Sequence, residues 1–253
     1  MKKYFTVVIA LIMIMSLGFS VTGKDVLDGI KNQHNDFTSE KSGITMKLSD
    51  ANGNEKIRDF EMYLMKNGDD SLALVRFSSP AEVKMITLLT LSDDEIYIYM
   101  PAYRKTKRIS GGAKNGNFVG SDLKYSDISL LYNEKSGDYS SNLLENNSEI
   151  YKIEIIPQDS DSDYGKIIAE VEKENMLFSK IDFYSQNGEH IKTMSFSDLK
   201  NFNGHTLYSH IELKDLISGT STVLDINSAS FDIGITEKFF DKMNISKPVL
   251  IIK

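Results

Sequence analysis

Four cations, Arg104, Lys105, Lys107 and Arg108, follow a short aromatic-rich stretch, Ile96–Met100, and Pro101. Guanidinium and ammonium groups at this density suit phosphates, whether of lipid headgroups or of an acidic partner. The plainer alternative is a solvated charged face. Other chemistry finds little support. His34, His190, His205 and His210 do not form HExxH or another zinc spacing. Ser121-Asp122 has no nucleophile elbow around it. Gly111-Gly112-Ala113 lacks the Gly-Lys-Ser/Thr that completes a phosphate cradle. Asp159, Asp161 and Asp163 alternate like the start of a calcium loop, but Tyr164 stands where that loop needs glycine. A solvated acidic turn is the better reading. The chain is expected to use no catalytic residue, no metal and no cofactor, and not to be an enzyme.

A second kind of chemistry is apolar. Met46, Met62, Met65, Met85, Met100, Met176 and Met194 lie in or beside strand-like patterns. Methionine is flexible and polarizable, so it suits a lining that accepts varied apolar ligands, although each one singly also serves as core filler. Arg76 shares strand parity with Leu72 and Leu74 and should point to their face. A charge there needs a partner or a route to water. Cavity rim and pleat irregularity are both open to it.

The elements that position these residues have the period of strands. Asp25–His34 predicts one short amphipathic helix. Strands follow around Ile44–Leu48, Phe60–Leu64, Leu72–Arg76, Met85–Leu91 and Glu95–Met100. The second half predicts strands at Glu149–Ile156, Gly165–Glu172, Phe178–Ser185, Ile191–Leu199, Thr206–Leu213 and Thr220–Ile226. Turn residues such as Asn52-Gly53 and Asn203-Gly204 separate them. Thr236–Met243 is a terminal amphipathic segment with Phe239 and Phe240. About eleven strands at this spacing read as an antiparallel sandwich or barrel, mainly β with some helix. Only Gly111–Asn147 breaks the pattern, being polar and rich in Gly, Asn and Ser.

The first residues bear on compartment. Lys2 and Lys3 precede an apolar run from Tyr4 to Phe19, and small residues then lead to Lys24. This is the layout of a secretory signal peptide, cleaved after Ser20 or after Gly23. The chain has no cysteine, which removes disulfides, thiolate metal sites and lipid attachment at a leader. The expected product is a soluble periplasmic domain over 24–253, preceded by a signal peptide over 1–23. Loss of Lys2 and Lys3 takes the formal net charge from −7 to −9. That acidity argues against nucleic acid as a partner.

Pro101-Ala102-x-Arg104, the basic residues up to Arg108-Ile109, and then Gly116-x-Phe118-x-Gly120-Ser121-Asp122-x-x-Tyr125-x-Asp127 form an ordered motif of about ten positions. It resembles the outer-membrane lipoprotein-sorting-like proteins of the LolA/LolB-like superfamily. The resemblance implies an open, incomplete antiparallel β-barrel with a helical lid. It further implies a periplasmic carrier that binds acyl chains of lipids or acylated lipoproteins in an apolar cavity and contributes to outer-membrane lipoprotein sorting or lipid transport. An alternative on the same scaffold is an accessory or sensor protein of an RND-type exporter or an envelope-stress pathway. The candidate ligand-binding residues are Met46, Met62, Leu64, Leu74, Arg76, Met100, Arg104, Arg108 and Phe118. Phe118 is expected to plug or line the cavity mouth, or else to anchor its loop.

Overall fold

The computed structural model describes residues 20–33, 37–68, 70–92, 95–127, 139–160 and 162–250. The basic and apolar start of the chain up to Phe19, His34 and Asp161 lie outside the described residues.

Helix α1 spans Gly23–Gln33. Thr22 and Asp25 cap it reciprocally: Thr22 donates its backbone N–H and hydroxyl to Asp25 Oδ2 at 2.8 and 2.7 Å, and Asp25 N–H returns a bond to Thr22 Oγ1 at 3.2 Å. Val26 and Ile30, one helical turn apart, are buried against the sheet. A Cβ at Gly23 would lie 2.9 Å from the Asn142 backbone, so glycine allows the helix to begin this close to a strand.

All the described strands belong to one antiparallel sheet. They are β1 (Ser39–Ser49), β2 (Glu55–Asn67), β3 (Asp70–Ser79), β4 (Thr87–Ser92), β5 (Glu95–Met100), β6 (Lys105–Ile109), β7 (Tyr139–Asn146), β8 (Ile150–Pro157), β9 (Tyr164–Glu172), β10 (Phe178–Ser185), β11 (His190–Phe202), β12 (His205–Asp215) and β13 (Ser221–Phe231). Each half of the chain folds as a meander of neighbouring hairpins. β1 joins the two halves by pairing with both β2 and β13, which leaves β6 and β7 as the sheet's two edges. The result is an open, mostly β architecture, as the motif's resemblance implies.

Thirteen strands replace the eleven expected, because β6 and β7 carry almost no buried face. Of β6 only Ile109 is buried, and β7 is largely exposed. Edge strands are held by hydrogen bonds on one side, so the apolar alternation that marks inner strands is absent from them. The basic run is thus itself a strand. The strand expected from Met85 begins instead at Thr87, Met85 being held at a φ of 67° in the preceding turn.

The sheet curves around its main core. On the concave face, Ile44, Met46, Phe60, Met62, Val75, Phe77, Ile153, Ile181, Phe183 and Met194 form one apolar surface, covered by Val26 and Ile30 of α1 and by Phe118 and Leu123. On the convex face of β2–β5, Tyr63, Leu72, Leu74, Leu89 and Tyr99 meet Ile235, Phe239, Phe240 and Ile245 of the C-terminal segment. The amphipathic segment expected at Thr236–Met243 is a 3-10 turn at Glu237–Phe240 that buries both phenylalanines. Among the described residues, no helix is long and apolar enough to cross a membrane.

Candidate lipid-facing site: a pinned strap across the concave face

The second half of the sequence motif, residues 116–127, forms a strap at one end of the concave face. Phe118 N–H donates to Leu123 O at 2.7 Å, closing a tight loop, and the Ser121 hydroxyl donates back to Phe118 O at 2.7 Å. Val119 and Gly120 both take left-handed backbone, with φ of 46° and 73°. Glycine accepts this readily; valine does so only where its surroundings hold it. Here the Arg58 guanidinium of β2 donates to Val119 O. Arg58 shares its side of β2 with Phe60 and Met62, and burial pushes its pKa below the usual arginine value.

Two further ties reach the other half of the sheet. Asp122 accepts the hydroxyls of Thr220 and Thr222, and its N–H donates to Thr222 Oγ1 at 2.9 Å. Beyond it, Lys192 of β11 donates to Asp122 O at 2.8 Å, to Asp127 Oδ2 at 2.9 Å and to Tyr164 Oη at 3.1 Å. These are the three donors an ammonium has. Tyr164 donates its own hydroxyl to Asp127 Oδ1 at 2.7 Å, and Lys124 N–H donates to Asp127 Oδ2 at 2.8 Å. Burial, followed by the Asp127 charge, drives the Tyr164 pKa far above the ordinary phenol value, so Tyr164 is held as a donor. The Asp122, Asp127, Tyr164 and Lys192 side chains are thus engaged in fixing the strap.

Phe118 is 2 % exposed, its ring centroid 5.5 Å from that of Phe77 and 5.9 Å from that of Tyr125. It is packed inside the concave core. Met46 and Met62 share that core, and Met100 packs beside it. Leu64 lies toward the far end of the same face with Phe37, Ala73 and Phe231. Leu74 and Arg76 are not brought to this surface. β2 and β3 pair Met62 with Val75 and Tyr63 with Leu74, so even-numbered positions of β3 face the convex side. Arg76 does point with Leu72 and Leu74 as its parity predicts, but its charge is met there by Thr87 Oγ1 at 2.9 Å, Lys247 O at 2.9 Å and Ile245 O at 2.7 Å. It ties down the C-terminal segment. Arg104 and Arg108 are exposed on the β6 side of the sheet, away from the concave core.

Reading the sequence alone missed Arg58, Tyr164, Lys192, Thr220 and Thr222. One signal was available: Lys192 shares strand parity with Met194, as Arg76 does with Leu74, and an inward lysine needs a partner. At the far end of the concave face the same rule applies to Glu40. It is buried, accepts the Ser42 hydroxyl, and burial raises its pKa above the usual carboxylate value.

Three solved structures share this architecture. A candidate outer membrane lipoprotein-sorting protein domain from Vibrio parahaemolyticus is 25% identical, with a TM-score of 0.82 over 89% of this chain and 98% of its own. A DUF1329 family protein from Desulfovibrio piger is 24% identical, with a TM-score of 0.80 over 88% and 97%. A LolA superfamily protein from Nitrosomonas europaea is 22% identical, with a TM-score of 0.71 over 88% and 99%. The last two likenesses speak to the fold alone. No curated protein matches by sequence. A family described as uncharacterized protein matches residues 69–247, most of the chain.

The chain belongs to this family.

The family match takes in both the basic strand β6 and the strap, together with Arg76, Tyr164, Lys192 and Thr222 that hold surrounding segments. It begins after β1 and β2, so Arg58 and Glu40 lie outside it. The Arg76 and Lys192 clusters hold covers over an apolar sheet.

Proposed function

We propose that this protein is a periplasmic carrier that receives acyl chains of lipids or acylated lipoproteins against the concave face of its sheet. One observation carries the reading. The concave apolar surface runs across both halves of the sheet, yet among the described residues no second sheet covers it; a helix and a strap do. Such a surface becomes available when one cover lifts. The strap is tied by buried polar bonds to β2, β9, β11 and β13, whereas α1 presses on the sheet mainly through Val26, Leu27 and Ile30. We assign α1 as the moving lid and the strap as the fixed rim. Lipoprotein sorting is the role named for the Vibrio domain of the same fold, and the basic and apolar start of the chain supports export to the periplasm.

The energetics are sufficient. About twelve acyl methylenes moved from water onto protein gain ~10 kcal/mol at ~0.8 kcal/mol each. Ordering costs of several kcal/mol leave micromolar or tighter binding. The test is native mass spectrometry of protein purified without detergent, followed by uptake of a fluorescent fatty acid by delipidated protein. Co-purifying lipid and saturable uptake are expected. Ligand-free protein that takes up no fatty acid would overturn the proposal.

A further inference from the structure

Only Ile109 of the basic strand joins the concave core; its charged side chains are exposed, and the carrier reading gives them no task. From Pro101 to Ser121 the chain has no acidic residue and carries Arg104, Lys105, Lys107, Arg108 and Lys114, in a protein whose formal net charge is −7. The β5–β6 hairpin presents the first four of these together. Its turn is a 3-10 turn at Pro101–Tyr103, and Arg104 follows in left-handed backbone with a φ of 50°. Tyr103 at the tip is 69% exposed, and Lys105, Thr106, Lys107 and Arg108 are all exposed. The adjoining 80–86 turn adds one charge of each sign, Glu82 and Lys84.

We propose that the β5–β6 hairpin, with Tyr103 at its tip and Arg104, Lys105, Lys107 and Arg108 along its edge strand, docks this protein on an anionic lipid surface. Three features favour a membrane over a folded acidic partner. The cations alternate along an edge strand, Lys105 and Lys107 on one side and Arg108 on the other. They therefore spread charge over a broad front and do not converge on one pocket. Long exposed side chains of this kind adapt to a fluid layer of phosphates. An exposed tyrosine beside them has the amphipathic ring that settles at headgroup level. The hairpin tip lies at the same end of the sheet as the strap, because β5 ends and β6 begins where β9 and β13 begin, next to the Asp122–Thr222 tie. Docking would thus set that end of the concave face toward the bilayer. The proposal deepens the carrier reading, resting on it for its purpose, but its test does not depend on cargo.

Delipidated full-length mature protein is mixed with phosphatidylcholine vesicles, with and without phosphatidylglycerol, and bound protein is separated by flotation. Binding is expected only to the anionic vesicles and should fall steeply as salt rises. Each basic residue near such a surface contributes about fivefold, so exchanging all four for serine should weaken binding by about a hundredfold or more. Tyr103→Ser should weaken it less. Arg104→Lys with Arg108→Lys should keep it, since charge and not fork geometry is used. Fatty-acid uptake in solution should be unchanged in the serine variant, which separates failure of docking from failure of the carrier reading. Equal binding by wild type and the serine variant, or no binding to anionic vesicles, overturns the proposal. Two such negatives have their own signatures. Capture of polyglutamate without vesicle binding would show a surface for an acidic protein. Self-association of the serine variant with vesicle binding retained would show charges that only keep the sheet edge from pairing.

Discussion

Lys192 Nζ lies 2.9 Å from Asp127 Oδ2, and the two side chains are 3% and 0% exposed. Sixty-five residues separate them in the chain. Removing one partner strands a buried charge, so Lys192→Met or Asp127→Asn should each cost about 3–5 kcal/mol. The double variant should recover a large part of that loss, because neither charge is then left alone. Tyr164→Phe should cost less, about 1–2 kcal/mol, since it removes one hydrogen bond and leaves the ion pair. Denaturant unfolding of the four proteins checks the series; additive losses in the double variant would show that the pair is not coupled.

Phe118→Ala distinguishes an anchor from a gate. The ring is buried against Phe77 and Tyr125, so the expected loss is about 3 kcal/mol or more. Melting and fatty-acid exchange should be measured on the same sample. A small stability change with faster exchange would make Phe118 a gate; a large change with exchange unaltered makes it an anchor.

Arg76 bridges Thr87 to the carbonyls of Ile245 and Lys247. Arg76→Met should destabilise by roughly 2–4 kcal/mol, because charge-assisted bonds are lost and two carbonyls are left with fewer donors. Arg76→Lys should not restore wild-type stability, since one ammonium cannot reproduce the planar fork. Hydrogen exchange should show the loss first around Phe239, Phe240 and Ile245.

Glu40 supplies a pH dependence with a definite sign. Burial raises its folded pKa above the ordinary value of 4.5, while its Ser42 bond and the His205 charge pull the other way. In that range the unfolded chain gives up its proton first. Glu40 therefore favours the fold below about 4.5, and this contribution is lost as pH rises through the folded pKa. Glu40→Gln should remove that decline and be relatively more stable at neutral pH. Unfolding free energies of both proteins across pH test it, and parallel curves would refute it.

The helix cap bears on where a leader would be cut. Thr22 caps α1 through Asp25, and Val21 packs against the main core. Cleavage after Gly23 would remove both residues, whereas cleavage after Ser20 keeps them. Intact mass of the exported protein should place Val21 at the mature N-terminus.

The sequence by itself determined the β class, the inner strands and their turns, because apolar alternation and Asn-Gly punctuation are local properties. It also carried the strap motif and the inward parity of Arg76. Tertiary structure decided the rest. Met62, Tyr63, Leu64 and Met65 are all buried, as are Leu72 through Phe77, since β2 and β3 are covered on both faces. Alternation can state that Leu74 and Met62 each face inward, but not that they face opposite layers. β6 and β7 escaped notice because an edge needs no buried face. Lys192, Thr222 and Arg58 meet the strap only because β1 closes on β13. That pairing depends on register between strands far apart in the chain, and a period of two places residues on one strand's faces without naming the strand across from it.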